Sequence, residues 1–228
     1  MHEEKHFESS DIVKDIVIGM ADGLTVPFAL AAGLSGAVHS NTIIITAGVA
    51  EIIAGSIAMG LGGYLAGKTD ADHYYSELNR EYDEVKHVPE KEKQEICDVL
   101  NEYGISLSTQ NLVANELSKD NDKWVDFMMK FELGLEKPHP KRAAQSARNI
   151  ALAYVVGGFI PLSAYFFTST PNAGLIYSVC ITLLALLAFG YYKAKATGQP
   201  AIQGALRTAA IGALAAGAAF FIARLIGN

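Results

Sequence analysis

Apolar residues fill five long stretches of the chain and leave one long polar interval between the second and the third. The first stretch is fully apolar from about residue 16 to 38, and the second runs from about 42 to 67. The third covers about 149–168, the fourth follows the turn at 170–174 and ends near Tyr192, and the alanine-rich fifth spans about 201–226. About 20 apolar residues at 1.5 Å rise cross roughly 30 Å of hydrocarbon, so each stretch predicts a transmembrane helix. Ser9 or Ser10 supplies an N-cap for the first helix and Asp11 a first-turn acid. Pro27 and Pro161 each remove a backbone donor inside a span and predict kinks, while Gly19 and Gly23 form a small-residue face for close helix contact.

The polar interval keeps the helical period. After Lys68 the second helix continues through Asp70, Asp72, Glu77, Arg80, Glu81, Asp83, Glu84 and Lys86, so it is expected to leave the membrane unbroken. Pro89 suits the first position of a new helix, with Glu90 and Glu92 in its first turn and Gly104 as its stop. That helix sets Glu92, Glu95 and Glu102 near one face and Ile96, Val99 and Leu100 on the buried side. A third helix is expected around 108–118. A fourth, over about 122–135, is capped by Asn121 or Asp122, ends at Gly134 and carries the apolar stripe Trp124, Phe127, Met128, Phe131 and Leu135. The resulting expectation is an all-α polytopic membrane protein. An N-terminal segment and two spans occupy 1–68, an acidic helical module 69–140, and three further spans 141–228.

Composition sharpens this picture through segregation. Half of the residues are apolar, yet most of the 24 acids lie between Asp70 and Glu136, and none lies between Asn149 and Asn228. An acidic module of this kind argues against nucleic acid and for cations as partners. Cys97 and Cys180 fall in unlike environments and are expected to be free thiols. Met1 to Ser10 lack the basic region and apolar core of a secretory signal, so no cleavable leader is expected. Lys and Arg flank the module and the loop between the last two spans, whereas the turns at 39–41 and 169–172 have none. This bias predicts a cytoplasmic module and N-terminus, with the C-terminus across the membrane after five crossings.

The candidate chemistry lies in both parts. A charged carboxylate near the bilayer centre costs about 3 kcal/mol, so Glu51 in the second span must be protonated, paired or in a hydrated cavity. Glu51, Gly55 and Met59 recur at helical spacing, placing an oxygen and a sulfur on one stripe with a gap between them. Asp22 in the first span is read the same way, the alternative being an interfacial acid that pairs with Lys14. In the module, Glu81/Glu84 and Glu92/Glu95 are paired acids. Folded back as a hairpin they converge into the kind of site that helical bundles use for divalent metals. Met128 is more readily a core residue than a ligand. Asp120-Asn121-Asp122 lacks the glycine and terminal glutamate of a calcium loop, and His73 and His87 belong to no ligand pattern.

Two of these segments carry a resemblance. Asp22-Gly23-Leu24-Thr25-Val26-Pro27-Phe28-Ala29-Leu30-Ala31-Ala32-Gly33-Leu34 and Ala50-Glu51-Ile52-Ile53-Ala54-Gly55-Ser56-Ile57-Ala58-Met59-Gly60 resemble the vacuolar iron transporter family. The acidic insertion is similar to the cytosolic metal-binding domain of its eukaryotic members. The resemblance implies a homodimer in the vacuolar membrane, with the module cytosolic and the C-terminus lumenal, moving Fe²⁺ out of the cytosol in exchange for protons. It also implies a pathway at the dimer interface through Asp22, Glu51 and Met59, and a metal cluster of Glu81, Glu84, Glu92, Glu95, Glu132 and Met128. No cofactor beyond the bound and carried ion is expected, and Zn²⁺, Mn²⁺ and Co²⁺ stay open as further cargo.

On this reading the module collects the ion, Asp22 and Glu51 trade protons for it, and the Met59 thioether favours transition metals over Mg²⁺ and Ca²⁺. The rival from another class is a membrane-tethered di-metal carboxylate oxidase. It is weakened because Glu81 and Glu92 are followed three residues later by Glu and not by His. A metal-regulated scaffold without transport leaves Asp22 and Glu51 without a role.

Overall fold

The computed structural model describes residues 11–226, and the expected cap at Ser9 or Ser10 lies outside them, as does the segment read for a leader. Among the described residues the chain is all-helical. The helices are α1 (Asp11–Ala37), α2 (Asn41–His87), α3 (Pro89–Glu102), α4 (Leu107–Leu117), α5 (Asn121–Phe127, continued by a π turn over Met128–Glu132), α6 (Arg142–Phe166), α7 (Pro171–Ala196) and α8 (Ala201–Ile226). They form two compact units, one of residues up to Leu65 together with those from Ala143, the other of Ala66–Arg142.

Five helices, α1, α2, α6, α7 and α8, are long and apolar enough to cross a membrane. Their outward faces are apolar too, with Ile202, Leu206, Leu214 and Leu225 of α8 all exposed, a pattern suited to lipid and not to water. Inside this unit, packing is set by small residues. A Cβ at Gly19 would strike the Ile150 carbonyl and one at Gly23 the Tyr154 carbonyl, so the expected small-residue face of α1 is spent on α6. Gly33 lets α8 close on α1 at Ala219, and Gly204 lets α8 meet α7 at Ala194. Pro27 and Pro161 are both accommodated within continuous helices. Polar groups are handled locally: Ser35 Oγ lies 2.8 Å from the Tyr165 hydroxyl, and Asn41 Nδ2 donates to the Tyr165 carbonyl at the end of α6 at 3.3 Å and to the Thr168 carbonyl just beyond it at 2.6 Å.

Helix α2 runs unbroken for 47 residues, as its continuous period predicts. No proline interrupts it, and Lys68 bonds Asp72 at 2.7 Å where the sequence turns polar. In the second unit the polar end of α2, with α3, α4 and α5, encloses a core of Tyr74, Val85, Ile96, Cys97, Ala114, Trp124, Val125, Met128 and Met129. Burying a side chain the size of Ile96 or Met128 contributes about 2–3 kcal/mol. Pro89 occupies the first turn of α3, and Gly104 takes φ 73° just beyond its end, the left-handed geometry that stops a helix.

The fourth module helix departs from the sequence reading in two respects. Its N-cap is Asp120, whose carboxylate accepts from the backbone amides of Asp122 and Lys123, one residue earlier than expected. Its second half is a π turn, with Leu133 N bonding Met128 O. The wider turn breaks the 3.6-residue stripe, so Met129 is buried and Phe131 is 58% exposed. Helix α6 starts at Arg142, about two turns before the predicted span, because Arg142 and Arg148 extend the helix in polar form.

Candidate functional site

In the five-span unit the site is built around Tyr154, a residue that the sequence reading did not single out. Its hydroxyl donates to Glu51 Oε1 at 2.5 Å. Two glycines bring it there. Gly23, next to Asp22, lets the α6 backbone close on α1 at Tyr154 itself, and Gly55, one turn beyond Glu51, is covered by the Tyr154 ring and hydroxyl. The gap expected between Glu51 and Met59 is therefore filled by a phenol. The other Glu51 oxygen, Oε2, is buried with no hydrogen-bond partner. An orphaned carboxylate oxygen inside an apolar helix is costly unless a proton or a cation completes it.

Asp22, Glu51 and Met59 are all half-buried. Tyr154 bonds Glu51 and packs its backbone on Gly23 beside Asp22, and Met59 stands about 12 Å further along the α2 axis than Glu51 at 1.5 Å per residue. Lys14 is engaged by Asp11 at 3.7 Å, away from the alternative pairing with Asp22. A second buried acid in α1 also escaped the sequence reading. Asp15 is 1% exposed, accepts from Ser146 Oγ at 2.9 Å and from Asn149 Nδ2 at 3.3 Å, and so ties α1 to α6. The signal was present, since Asp15, Gly19 and Asp22 share one face of α1 at positions i, i+4 and i+7.

In the second unit, one oxygen each from Glu81, Glu84 and Glu92 lies within 4.8 Å of the others, joining the polar end of α2 to α3. Glu81 and Glu92 are 2% and 0% exposed, and Glu81 Oε2 and both Glu92 oxygens have no hydrogen-bond donor. Cations stand at the rim. Lys91 Nζ bonds Glu95 at 2.8 Å and lies 4.0 Å from Glu92 Oε1, while Arg80 bonds Glu84 and Glu77, each at 3.2 Å. Burial, followed by repulsion from Glu132 and Glu84, pushes the Glu81 carboxyl from 4.5 up to about 7. Burial with repulsion from Glu95 and Glu81 pushes Glu92 up to about 8.

Glu132, carried by the π turn, is raised first by partial desolvation and then by Glu95. Five acids thus feel one another, whereas Met128 sits fully buried in the apolar core beside Ile96 and Trp124. His87 Nδ1 is 2.7 Å from the Asp83 carbonyl and His73 lies 4.0 Å from Glu77. Cys97 is buried, its thiol pushed up by desolvation, and both cysteines are free. Several hard oxygens without donors, converging from buried and half-buried acids, suit a divalent cation, which would displace protons on entry.

Five apolar helices of spanning length with acids set between them define a polytopic helical membrane protein with ionisable residues inside its spans. The model of the VIT family matches residues 13–224, and the chain belongs to that family. It is 55% identical over 225 residues to Vacuolar iron transporter 1 of Tulipa gesneriana, a match that covers 99% of this chain and 91% of that protein. It is 54% identical to Vacuolar iron transporter 1 of Arabidopsis thaliana, over 99% of this chain and 90% of that protein. Protein CCC1 of Saccharomyces cerevisiae is 38% identical over 232 residues, covering 97% of this chain and 71% of that protein.

Proposed function

We propose that this protein is a secondary transporter, not an enzyme, that moves Fe²⁺ from the cytosol into the vacuole in exchange for protons. The relatives named vacuolar iron transporters supply the cargo and the membrane. The observation that carries the mechanism is the Glu51 carboxylate, bonded by Tyr154 on one oxygen and unpartnered on the other.

In the proposed cycle the Glu81–Glu84–Glu92 cluster, with Glu95 and Glu132 at its edge, collects the ion on the cytosolic side and gives up protons to do so. The ion then meets Asp22 and Glu51, which are the groups that exchange protons for it. Tyr154 keeps one Glu51 oxygen fixed so that the other faces the exchanging proton or ion. Met59, a separate station along α2, offers a soft ligand that Mg²⁺ and Ca²⁺ do not favour. Two copies of the chain are proposed to form the passage between them, with the N-terminus cytosolic and the C-terminus lumenal. The test is uptake of Fe²⁺, supplied anaerobically, into proteoliposomes with an imposed proton gradient. Gradient-driven uptake that fails in Glu51→Gln supports the cycle, and uptake indifferent to the gradient refutes the exchange.

A further inference from the structure

The hairpin of α7 and α8 contains a cavity of about 440 Å³, lined among others by Lys193, Thr197, Gln199, Gln203, Arg207 and Thr208. Neither Asp22 nor Glu51 lines it. Its electrostatics are one-sided. The chain has no Asp or Glu from Asn149 onward, and among the described residues neither the Lys193 nor the Arg207 head group has a hydrogen-bond or ion-pair partner. Arg207 lies about 9 Å into α8 from its first residue, between the lipid-suited side chains Leu206 and Ile211. An arginine in that setting is costly unless its charge is met at the headgroup layer.

The depth fits. Tyr191 and Tyr192 are exposed near the end of α7, side chains of the kind that sit at headgroup level, and Lys193 follows them directly. The cavity itself is built and not incidental. Gly204 and Ala194, both in its lining, let α8 close on α7, and Gly198 at φ 68° makes the turn between the two helices. Two cations, one a planar fork and one a point charge, with the side-chain amides of Gln199 and Gln203 in the same lining, are the donor set for a phosphate group.

We propose that this cavity binds a phosphate monoester at headgroup depth, two negative charges against the two cations. The test uses the full-length protein in phosphatidylcholine nanodiscs, alone, with phosphatidic acid in the bilayer, or with soluble glycerol 3-phosphate. The readouts are the apparent unfolding temperature and the lipid retained in native mass spectrometry. Phosphatidic acid is expected to raise the unfolding temperature saturably. Arg207→Gln and Lys193→Gln are each expected to weaken the effect about tenfold, while Lys195→Gln, outside the cavity, leaves it unchanged. A matching rise with glycerol 3-phosphate assigns the site to phosphate esters at large, and its absence assigns it to the lipid. An unfolding temperature that phosphatidic acid does not move, or Lys193→Gln and Arg207→Gln proteins that respond like the parent, overturns the proposal. Lys193→Gln, at the less embedded position, carries the test if Arg207→Gln does not fold.

Discussion

Metal binding by the glutamate cluster should be steeply dependent on pH. With Glu81 near 7 and Glu92 near 8, both carboxyls hold protons at pH 6, and an entering cation must displace both. Proton competition then weakens apparent binding far more at pH 6 than at pH 8, so affinity should rise by roughly two to three orders of magnitude across that interval. Removing Glu92 as Glu92→Gln takes away the higher of the two values, and the rise should shrink to about tenfold. Arg80 and Lys91 oppose the shifts, and Glu84, Glu95 and Glu132 reinforce them.

The sign for folding runs the other way. An acid whose native pKa is raised costs stability once the pH exceeds its unfolded value, so the metal-free protein should lose stability as pH climbs from about 4.5 through 8, and bound metal should restore it. The assay is calorimetric titration of the full-length protein with Mn²⁺ under nitrogen, in buffers of differing ionisation enthalpy, which counts the protons released. About two protons at pH 6 and fewer than one at pH 8 are expected. An affinity flat across this range, with no protons released, would refute the coupling of burial to binding.

Other expectations follow from single contacts. Tyr154→Phe strands a second oxygen of Glu51, a loss of about 1–3 kcal/mol, and should slow Fe²⁺ uptake in vesicles while circular dichroism still reports a helical protein. Gly23→Leu forces a side chain into the Tyr154 backbone and should cost about 3 kcal/mol or more, read as a lower unfolding temperature in detergent. Trp124→Ala opens the second unit's core and should cost about 3–5 kcal/mol, read as faster hydrogen exchange across α3 and α5. Met59→Ala should leave unfolding unchanged but narrow the preference for Fe²⁺ over Mg²⁺ in competition uptake.

What was legible in the sequence was whatever depends on local periodicity. The five spans, the passage of α2 from apolar to polar without a break, the start of α3 at Pro89 and its end at Gly104 all follow from spacing and backbone chemistry that neighbouring residues share. The convergence of Glu81, Glu84 and Glu92 was foreseeable because paired acids on two consecutive helices meet if the chain folds back. The π turn was not legible, since a 3.6-residue stripe fits 122–135 equally well and only the burial of both Met128 and Met129 decides against it. Tyr154 was missed because its partners come from two other helices, and a lone tyrosine in an apolar run looks like packing. Asp15 was missed because it sits one residue before the stretch read as fully apolar, although its spacing to Asp22 marks the same face.

Central to the account is that a carboxylate held by Tyr154 inside the membrane exchanges a proton for the metal. The most direct measurement records lumenal pH and Fe²⁺ uptake together in proteoliposomes carrying a trapped pH indicator. The account predicts that external Fe²⁺ drives protons out of an acidic lumen in step with metal entry, and that both signals vanish in Glu51→Gln. Metal entry with no proton movement, or proton movement that survives in Glu51→Gln, would contradict it.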